Sequence, residues 1–462
     1  MDELFQLFME NGHQLYLVGG CVRDRLLGRD IRDYDLATDA RPEVCLELLR
    51  GAGYSAYPVG LEFGTVGAAV PAGSGSMEVQ ITTYRCSESY SRGSRHPDVA
   101  FGTSLEEDLL RRDFTVNAMA MDRWGKVIDP LGGRIDLKDR LLRTPTDPVE
   151  TFCEDPLRML RAFRFACTLG FSIEQHTLDA ISSNHSRIMD ISRERWKMEM
   201  DLLLTAPDPE QVSRVLDLMR ETGLLPDLIP HFEEVFGLDR FSQGRVHSGD
   251  LWEHTLCAMA AAPSKDACLR WAVLLHDIGK PFARIAGKDG EVHFHGHEKV
   301  GGEIAAEVAD RFRFSKKERG CLVFLVKNHM RPVLYTGQWS QRAVRKLARD
   351  AGEHLERLLD LARADIASHA EPFASKGLRN LEELRERLGS GAADVHRRVL
   401  PKELGSILIN RVGSDISRAP QVGLILSNFR ELVHQGVLPE MAPPEVYLDY
   451  LEDHPELMRR EC

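Results

Sequence analysis

Leu17-Val-Gly-Gly-Cys-Val-Arg-Asp-Arg-Leu-Leu-Gly28, followed within a few residues by Asp33-Tyr-Asp35-Leu-Ala-Thr38, decides how this chain is read. The pattern is a strand over residues 14–18 running into Gly19-Gly20, with a helix over residues 21–27 behind it. Paired glycines let the backbone approach a ligand closely. A helix start offers free N–H groups and a positive dipole end, which suit a triphosphate. Arg23, in the first helical turn, is placed to grip phosphate oxygens. Residues 34–37 read as a short strand, and carboxylates two apart on a strand, Asp33 and Asp35, point to one face. Such a pair holds Mg²⁺ through oxygen ligands. Two ions ~4 Å apart can activate an attacking hydroxyl and stabilise a leaving pyrophosphate.

Working outward, residues 42–50 read as a helix. Residues 66–70 and 77–84 read as strands, with residues 71–76 as the turn between them. From Pro156 the pattern is mostly helical, as at residues 157–169, 211–221 and 269–276. The expected fold is an α/β N-terminal head, a small mixed sheet with helices, followed by a mostly α-helical body. Punctuation by glycine and proline suggests four segments: a head over 1–140, a helical neck over 141–230, a metal-binding helical domain over 231–370 and a helical tail over 371–462.

The bulk properties are those of a soluble globular protein, with 43% hydrophobic and 28% charged residues. No run approaches ~20 apolar residues, so no membrane partner is expected. The start, Met1-Asp-Glu, is acidic and unlike a secretory leader. Nine scattered cysteines without a CxxC suit reduced thiols in a cytoplasmic protein. The net charge of −12 argues against nonspecific nucleic-acid binding but leaves room for a local basic groove.

Further motifs follow in order: Arg111-Arg-Asp-Phe-Thr-Val-Asn-Ala-Met-Ala120; Asp129-Pro-Leu-Gly-Gly133 with Asp136, Leu137 and Arg140; Glu154-Asp-Pro-Leu-Arg158; and Ser192-Arg-Glu-Arg195. With these, about the first 200 residues resemble the class II tRNA nucleotidyltransferases (CCA-adding enzymes) and the related bacterial poly(A) polymerases. The resemblance implies template-independent addition of C, C and A to a tRNA 3′ end, from CTP and ATP with Mg²⁺. It assigns catalysis to Asp33 and Asp35. It assigns nucleotide binding to Gly19, Gly20, Arg23, Arg112, Asp113, Asn117, Asp155, Arg158, Arg161 and Arg164, with Arg112 at the sugar. A poly(A) polymerase or an A-only enzyme shares the same core motifs.

The fourth motif has its own logic. Asp155 and Arg158, three apart, would share a helix face, and carboxylate acceptors beside guanidinium donors can read the Watson–Crick edge of cytosine or adenine. The same spacing by itself is an ordinary intrahelical ion pair worth ~0.3–0.5 kcal/mol. Arg161 and Arg164 continue the basic stripe toward phosphates or primer. One position departs from the family. Relatives usually carry a third carboxylate five residues before the arginine of the strand ending in TTYR. Here that residue is Gln80, and Glu78 lies two residues earlier on the same strand face. Either Glu78 substitutes or the third acidic contact is missing. Residues 86–102, with Glu88, Tyr90, Arg92, Arg95, His96 and Asp98, form a polar loop. The family uses such a loop to switch its pocket from C to A, which favours CCA or A-only addition over CC-only addition.

A second constellation runs Leu251-Trp-Glu-His-Thr255, Leu274-Leu-His-Asp-Ile-Gly-Lys280, His295-Gly-His297, Asn328-His329 and Arg363-Ala-Asp365. Imidazoles and carboxylates are ligands for divalent ions. The order His, His-Asp, Asp resembles the HD phosphohydrolase superfamily. The resemblance makes His254, His276, Asp277 and Asp365 metal ligands, with His297 and His329 available for a second ion. Ni²⁺, Mn²⁺, Fe²⁺ or Zn²⁺ fits such donors. A rival from a different class follows: an HD metal phosphohydrolase whose front domain only binds RNA. The tail carries no catalytic motif. Its Gly413-Ser-Asp-Ile416 and Pro420-Gln-Val-Gly-Leu-Ile-Leu426 loosely resemble a segment that family members place near the tRNA elbow.

Overall fold

In the computed structural model, helix α1 (Asp2–Glu10) precedes strand β1 (Leu15–Val18), which runs through Gly19 into helix α2 (Gly20–Leu26). The structure describes residues 1–31, 33–72, 75–89, 98–102, 104–237, 250–286, 292–395, 400–412 and 419–458. Then come β2 (Tyr34–Thr38), α3 (Pro42–Gly51), β3 (Ser55–Gly60), β4 (Thr65–Ala72) and β5 (Gly75–Thr83). A separate hairpin, β6 (Arg85–Ser89) and β7 (Asp98–Phe101), follows, then α4 (Leu105–Leu110), β8 (Ala120–Met121), β9 (Val127–Ile128) and α5 (Gly133–Asp139). Seven strands form one mixed sheet in the order β3-β4-β5-β2-β1-β8-β9. Within this sheet, among the described residues, only β2 and β5 pair in parallel.

The period-two pattern explains β5: Val79, Ile81 and Thr83 go to the core while Glu78 and Gln80 stay outside. The head's core gathers Val18, Ala37, Tyr84, Leu105, Leu109, Ala118 and Ala120. Two details differ from the sequence expectation. Strands β4 and β5 extend to Ala72 and Gly75, so the expected turn over 71–76 shrinks to its tip. Strand β3 was not anticipated. It is a mostly exposed edge strand with Pro58 in it, so it carries little alternation to read.

The helical body continues with α6 (Pro148–Glu154), α7 (Leu157–Phe165), α8 (Gln175–Asn184), α9 (Arg193–Leu204), α10 (Pro209–Glu221), α11 (Leu224–Leu228) and α12 (Phe232–Phe236). Next are α13 (Leu251–Ala261), α14 (Ala267–Leu275), α15 (His297–Arg311), α16 (Lys316–Asn328) and α17 (Met330–Val333). The last are α18 (Gln341–Ala351), α19 (Leu355–Ala367), α20 (Phe373–Val395), α21 (Leu404–Val412), α22 (Ala419–His434) and α23 (Pro444–Asp453). Helix starts follow local chemistry. Asp147, Asp208 and Asp266 accept from backbone N–H groups of the first turns of α6, α10 and α14. Asp250/Glu253 and Ser315/Glu318 form reciprocal capping boxes on α13 and α16.

Two compact units result. One comprises Met1–Gln338 and Glu353–Glu383; the other comprises Trp339–Gly352 and Leu384–Cys462. Residues 339–352, within the span 231–370, therefore pack with the second unit. That unit has its own apolar centre of Leu404, Leu408, Ile425, Phe429, Leu438, Tyr447 and Leu451. Cys268 and Cys321 pair as a disulfide between α14 and α16, whereas Cys21, Cys45, Cys153, Cys167 and Cys257 are free thiols, so no disulfide framework is present among the described residues. No helix among the described residues is long and apolar enough to cross a membrane.

Candidate active site and metal centre

The glycine turn works as a docking point for an arginine. Gly19 has φ +74°, and a Cβ there would lie 2.9 Å from Arg112 Nη1. The Cys21 thiol, in the first turn of α2, donates to the carbonyls of Val18 (3.0 Å) and Asp35 (3.4 Å), tying the ends of β1 and β2 together. Arg112 is aimed by Asp108 on α4. That buried carboxylate takes Arg112 Nη2 at 2.9 Å and Arg111 Nη2 at 2.8 Å. Burial pushes the Asp108 pKa up, but the two guanidinium groups outweigh it and hold it at about 2.

Asp35 lies at the exposed end of β2, and Asp33 immediately precedes the strand rather than lying within it. The Asp35 carboxylate keeps solvent contact yet is crowded by protein. Its pKa is raised by desolvation; Arg112 lowers it and Asp33 raises it again. Asp35, whose proton affinity Asp33 raises, and Asp33 itself offer hard oxygen donors only, which suit a divalent cation such as Mg²⁺. Directly opposite Asp35 in the β2–β5 register is Gln80. Glu78 is paired elsewhere, accepting from Tyr57 Oη at 2.5 Å. The position beside Asp35 is thus filled by a neutral amide.

Several residues expected at phosphates are committed to protein partners. Arg23 is buried and donates to Asn117 Oδ1 (2.6 Å) and Asp24. Asn117 in turn donates to Asp113 Oδ1 (2.9 Å). Asp113 Oδ2 receives Arg161 through Nε (2.9 Å) and Nη2 (2.6 Å). Arg161 and Arg164 both reach Glu199 on α9. Arg23, Arg161 and Arg164, expected at phosphates, each have a carboxylate or amide partner inside the protein, as burial of a charge requires. Thr115, in the loop of the same motif, donates to Asp136 Oδ2 at 2.6 Å, so the third motif supports the second.

The fourth motif is also corrected in form. Asp155 does not share a helix face with Arg158; it sits in the break between α6 and α7, in extended conformation. Its Oδ1 accepts from Leu157 N (3.0 Å), capping α7, and its Oδ2 accepts from Arg195 Nη2 (3.0 Å). Arg158 donates to the Arg111 carbonyl (2.5 Å) and to Glu154 (3.2 Å). The Asp155–Arg158 intrahelical pair is therefore not formed. Instead, each side chain is held by a different element, which fixes the pair's spacing without neutralising one with the other. Of the loop expected to switch the pocket, Tyr90, Arg92, Arg95 and His96 lie outside the described residues.

Sequence reasoning passed over Asp108 and Glu199. The available signal for Glu199 was its place one helical turn after Arg195 on the same face of α9.

The second constellation does converge. Gly279 makes this possible: a Cβ there would lie 2.2 Å from the His297 carbonyl and 2.5 Å from Gly301 N, so only glycine lets α15 close on the His276-Asp277 turn. Asp277 Oδ2 lies 3.2 Å from Nε2 of both His254 and His276. Its Oδ1 lies 3.3 Å from His297 Nε2 and 3.6 Å from His329 Nε2. Asp365 Oδ1 stands 3.4 Å from His254 Nε2.

The second nitrogens reveal the protonation. His276, His297 and His329 each use Nδ1 toward a backbone carbonyl at 2.8 Å, which can only accept. His254 Nδ1 meets Ser368 Oγ (2.7 Å), whose proton goes to the Asp365 carbonyl (2.6 Å). In neutral rings every Nε2 then carries a lone pair. Yet His254 and His276 Nε2 face each other at 3.1 Å, and His297 and His329 Nε2 at 3.2 Å. Lone pairs so placed repel unless a cation sits between them. Asp277 Oδ2 is buried without a hydrogen bond of proper geometry, although Lys280 Nζ is 2.6 Å away. Two ligand triads share Asp277: His254/His276/Asp277 and Asp277/His297/His329. Burial raises the Asp277 pKa, but His276 and Lys280 hold it well below the usual range. Burial lowers that of His254, but Asp277 and Asp365 raise it above normal, whereas burial keeps His329 low. The residues of either triad would suit a divalent ion.

Comparison with known proteins bears on both sites. Residues 15–143 match the family model described as "Poly A polymerase head domain". Residues 170–236 match "Probable RNA and SrmB- binding site of polymerase A", and residues 247–370 match "HD domain". The A-adding tRNA nucleotidyltransferase of Deinococcus radiodurans is 35% identical over 371 residues, 78% of each chain. The chain belongs to the tRNA nucleotidyltransferase and poly(A) polymerase family. Other members include the CCA-adding enzyme of a Geobacillus species, 39% identical over 56% of this chain and 63% of its own length. The chain thus spans less than two thirds of the first such relatives. Among solved structures, the CCA-adding enzyme of Bacillus stearothermophilus in complex with CTP superposes with a TM-score of 0.67 at 28% identity, covering 98% of this chain and 96% of that one. The family's α/β head and helical body with an HD domain are those described above.

Proposed function

We propose that this protein adds nucleotides to the 3′ end of tRNA without a nucleic-acid template, completing CCA from CTP and ATP in the cytoplasm. The observation that carries the reading is the convergence of Gly19, Asp35 and Arg112 at the head of α2, with Asp108 aiming the arginine. Relatives named for CCA or A addition support it. Asp33 and Asp35 would hold Mg²⁺, which when bound polarises the reacting phosphate and lowers the barrier to hydroxyl attack. Arg112 is positioned for the nucleotide. Asp155 and Arg158, fixed by Arg195 and by the Arg111 carbonyl, read the base edge. The division into head, neck, HD domain and tail goes with this reading.

Adding only the final A is the second reading, favoured by the Deinococcus radiodurans relative, which matches 78% of the chain. The deciding experiment gives purified protein tRNA transcripts lacking three nucleotides, lacking one, or complete, with each labelled NTP. C and A on the shortest transcript support CCA addition. A on the one-short transcript alone indicates the A-only enzyme, and repeated A on a complete end a poly(A) polymerase. No incorporation anywhere overturns the proposal in favour of an HD phosphohydrolase with an RNA-binding head. As a further activity, we propose metal-dependent phosphoester hydrolysis at the shared Asp277 centre. The two imidazole pairs and Asp277 would hold the ions, which supply an activated water when bound.

A further inference from the structure

Helices α14 and α16 carry a second link besides the histidine cluster. Cys268, in the first turn of α14, is joined by its disulfide to Cys321 on α16. Eight residues further along each helix stands a histidine of the HD centre, His276 at the end of α14 and His329 at the end of α16. The two helices thus run side by side in the same direction, tied by sulfur roughly 12 Å upstream of the imidazoles. The rings of His276 and His329 meet at 5.4 Å, one in each of the two triads that share Asp277. The two sulfurs differ in access. Cys321 is 5% exposed. Cys268 is half-buried and lines a cavity of about 320 Å³. Trp271 and Phe314 give that cavity an aromatic wall, and Lys197 lies over Phe314 at 4.8 Å. Its carboxylates are engaged: Asp201 and Glu318 by Lys197, and Asp266 by Arg357. The cavity therefore leads a small molecule to one sulfur of the bond and not to the other.

In a compartment that keeps thiols reduced, a protein disulfide is usually transient, catalytic or redox-sensing. We propose that Cys268 and Cys321 form a reversible thiol–disulfide switch, worked by a small thiol entering this cavity, that sets how firmly α14 and α16 hold His276 and His329 together. Reduction begins when the thiolate of the small thiol attacks the Cys268 sulfur. The Cys268–Cys321 bond breaks, and Cys321 leaves as a thiolate that takes up a proton. A second small thiolate then attacks the outer sulfur of the mixed disulfide, forming the small disulfide and releasing the Cys268 thiolate. Two small thiols are oxidised, and one protein disulfide becomes two thiols. Oxidation is the reverse, with Cys268 as the attacking group. The N–H groups of the first turn of α14 favour its thiolate, and the cavity gives it access. The bond closes a span of 53 residues that includes the whole of α15 and the His276-Asp277 turn. Its loss frees the upstream ends of both ligand-bearing helices. The effect on the histidines rests on the metal reading of the HD centre above; the switch itself does not.

The test has two parts. In the first, the full chain is equilibrated in glutathione buffers from fully reduced to fully oxidised, then quenched by alkylation. Mass spectrometry reads the state of the peptides that carry Cys268 and Cys321. The pair should pass between disulfide and dithiol within this range, along one curve from either direction. A pair that stays oxidised in excess reduced glutathione, or stays reduced in oxidised glutathione, overturns the switch. In the second part, the oxidised protein and the protein reduced with a phosphine, which is then removed, are compared by thermal melting and by calorimetric titration with Ni²⁺, an ion that prefers nitrogen donors. The reduced form should melt lower by roughly 5 °C. It should bind Ni²⁺ about 10-fold more weakly, the lower end of what a metal site loses with an outer support. Cys268→Ser/Cys321→Ser should match the reduced form in every glutathione buffer. Equal Ni²⁺ affinity in the two forms of wild type overturns the coupling, as does a redox-dependent affinity that survives in the double variant. If the variant does not fold, the two forms of wild type decide alone. If neither form binds Ni²⁺, the metal reading fails and the coupling falls with it. A pair that fails to titrate in a protein that does bind Ni²⁺ overturns the switch and leaves the metal reading standing.

Discussion

Gln80 stands directly across from Asp35 on the neighbouring parallel strand. The family resemblance led to a carboxylate being expected there, and an amide oxygen is a weaker, uncharged donor to a hard cation. Asp33→Ala and Asp35→Ala should each reduce nucleotide incorporation to background while tRNA binding persists. Gln80→Glu should instead shift the Mg²⁺ titration to lower concentration, because it adds a charge beside Asp35. Incorporation measured against Mg²⁺ concentration checks both. Near-normal incorporation by either aspartate variant would refute the metal assignment.

Asp155 and Arg158 are held apart by separate partners, Arg195 and the Arg111 carbonyl. Asp155→Ala and Arg158→Ala should therefore lose selectivity among the four NTPs as well as rate. Arg195→Ala should resemble Asp155→Ala, since the carboxylate loses its anchor, with a loss of ~10-fold or more in kcat/KM for the cognate nucleotide. Separate incorporation assays with CTP, ATP, UTP and GTP measure this. Wild-type selectivity in all three variants would end the idea of a protein template.

Much of this was legible in the sequence because its signals are local. The Gly19-Gly20 turn and the flanking strand and helix act within a few residues of themselves. The clustering of His254, His276, Asp277, His297 and His329 was legible because such residues in that order are chemically rare, even though α13, α15 and α16 had to bring them together. What the sequence hid was partnership. Arg23, Arg161 and Arg164 look like phosphate ligands when read alone. Their carboxylates and amides, Asp113, Asn117 and Glu199, come from other elements, and nothing local marks a pairing across 38 or 94 residues. Asp155 and Arg158 misled for a related reason: Pro156 breaks the helix between them, so the three-residue spacing does not put them on one face.

Acid should weaken the head in a definite window. Asp108 and Asp113 both titrate at about 2 in the folded protein, because Arg111, Arg112 and Arg161 outweigh the cost of burial. Unfolded, such groups titrate near 3.9. A depressed folded pKa contributes stability that is fully present above about 4 and is lost as pH falls toward about 2, roughly 2 kcal/mol for each group. Melting curves from pH 6 down to pH 2 should show this fall. Asp108→Asn should be less stable at pH 6, because two half-buried arginines lose their counter-charge, and its melting temperature should depend less steeply on pH below 4. An identical pH slope in the variant would contradict the pairing.

The last prediction concerns the shared carboxylate of the HD centre. With each Nδ1 donating, the facing Nε2 pairs at 3.1 and 3.2 Å need a cation to be at ease. Stripping divalent ions with a chelator should therefore lower stability, by about 2–3 kcal/mol relative to metal at 100 times its Kd. The chelated protein should regain its melting temperature with Mn²⁺ or Ni²⁺, whose affinity for nitrogen donors exceeds that of Mg²⁺. His276→Ala/Asp277→Ala should no longer respond to these ions and should lose hydrolysis of 2′,3′-cyclic nucleotides and p-nitrophenyl phosphate. Nucleotide addition should persist in the folded variant, because no ligand of this centre belongs to the head. The two regions nevertheless share α9: Lys197 pairs with Glu318 on α16 at 2.8 Å, and Trp271 on α14 donates to Asp201. Helix α14 leads straight into His276, so this is the route by which damage would travel. Loss of addition in a well-folded double variant would show that the helix transmits it. A chelator-insensitive melting curve together with no hydrolysis in wild type would show instead that the imidazole pairs are held by protons, as a purely structural core.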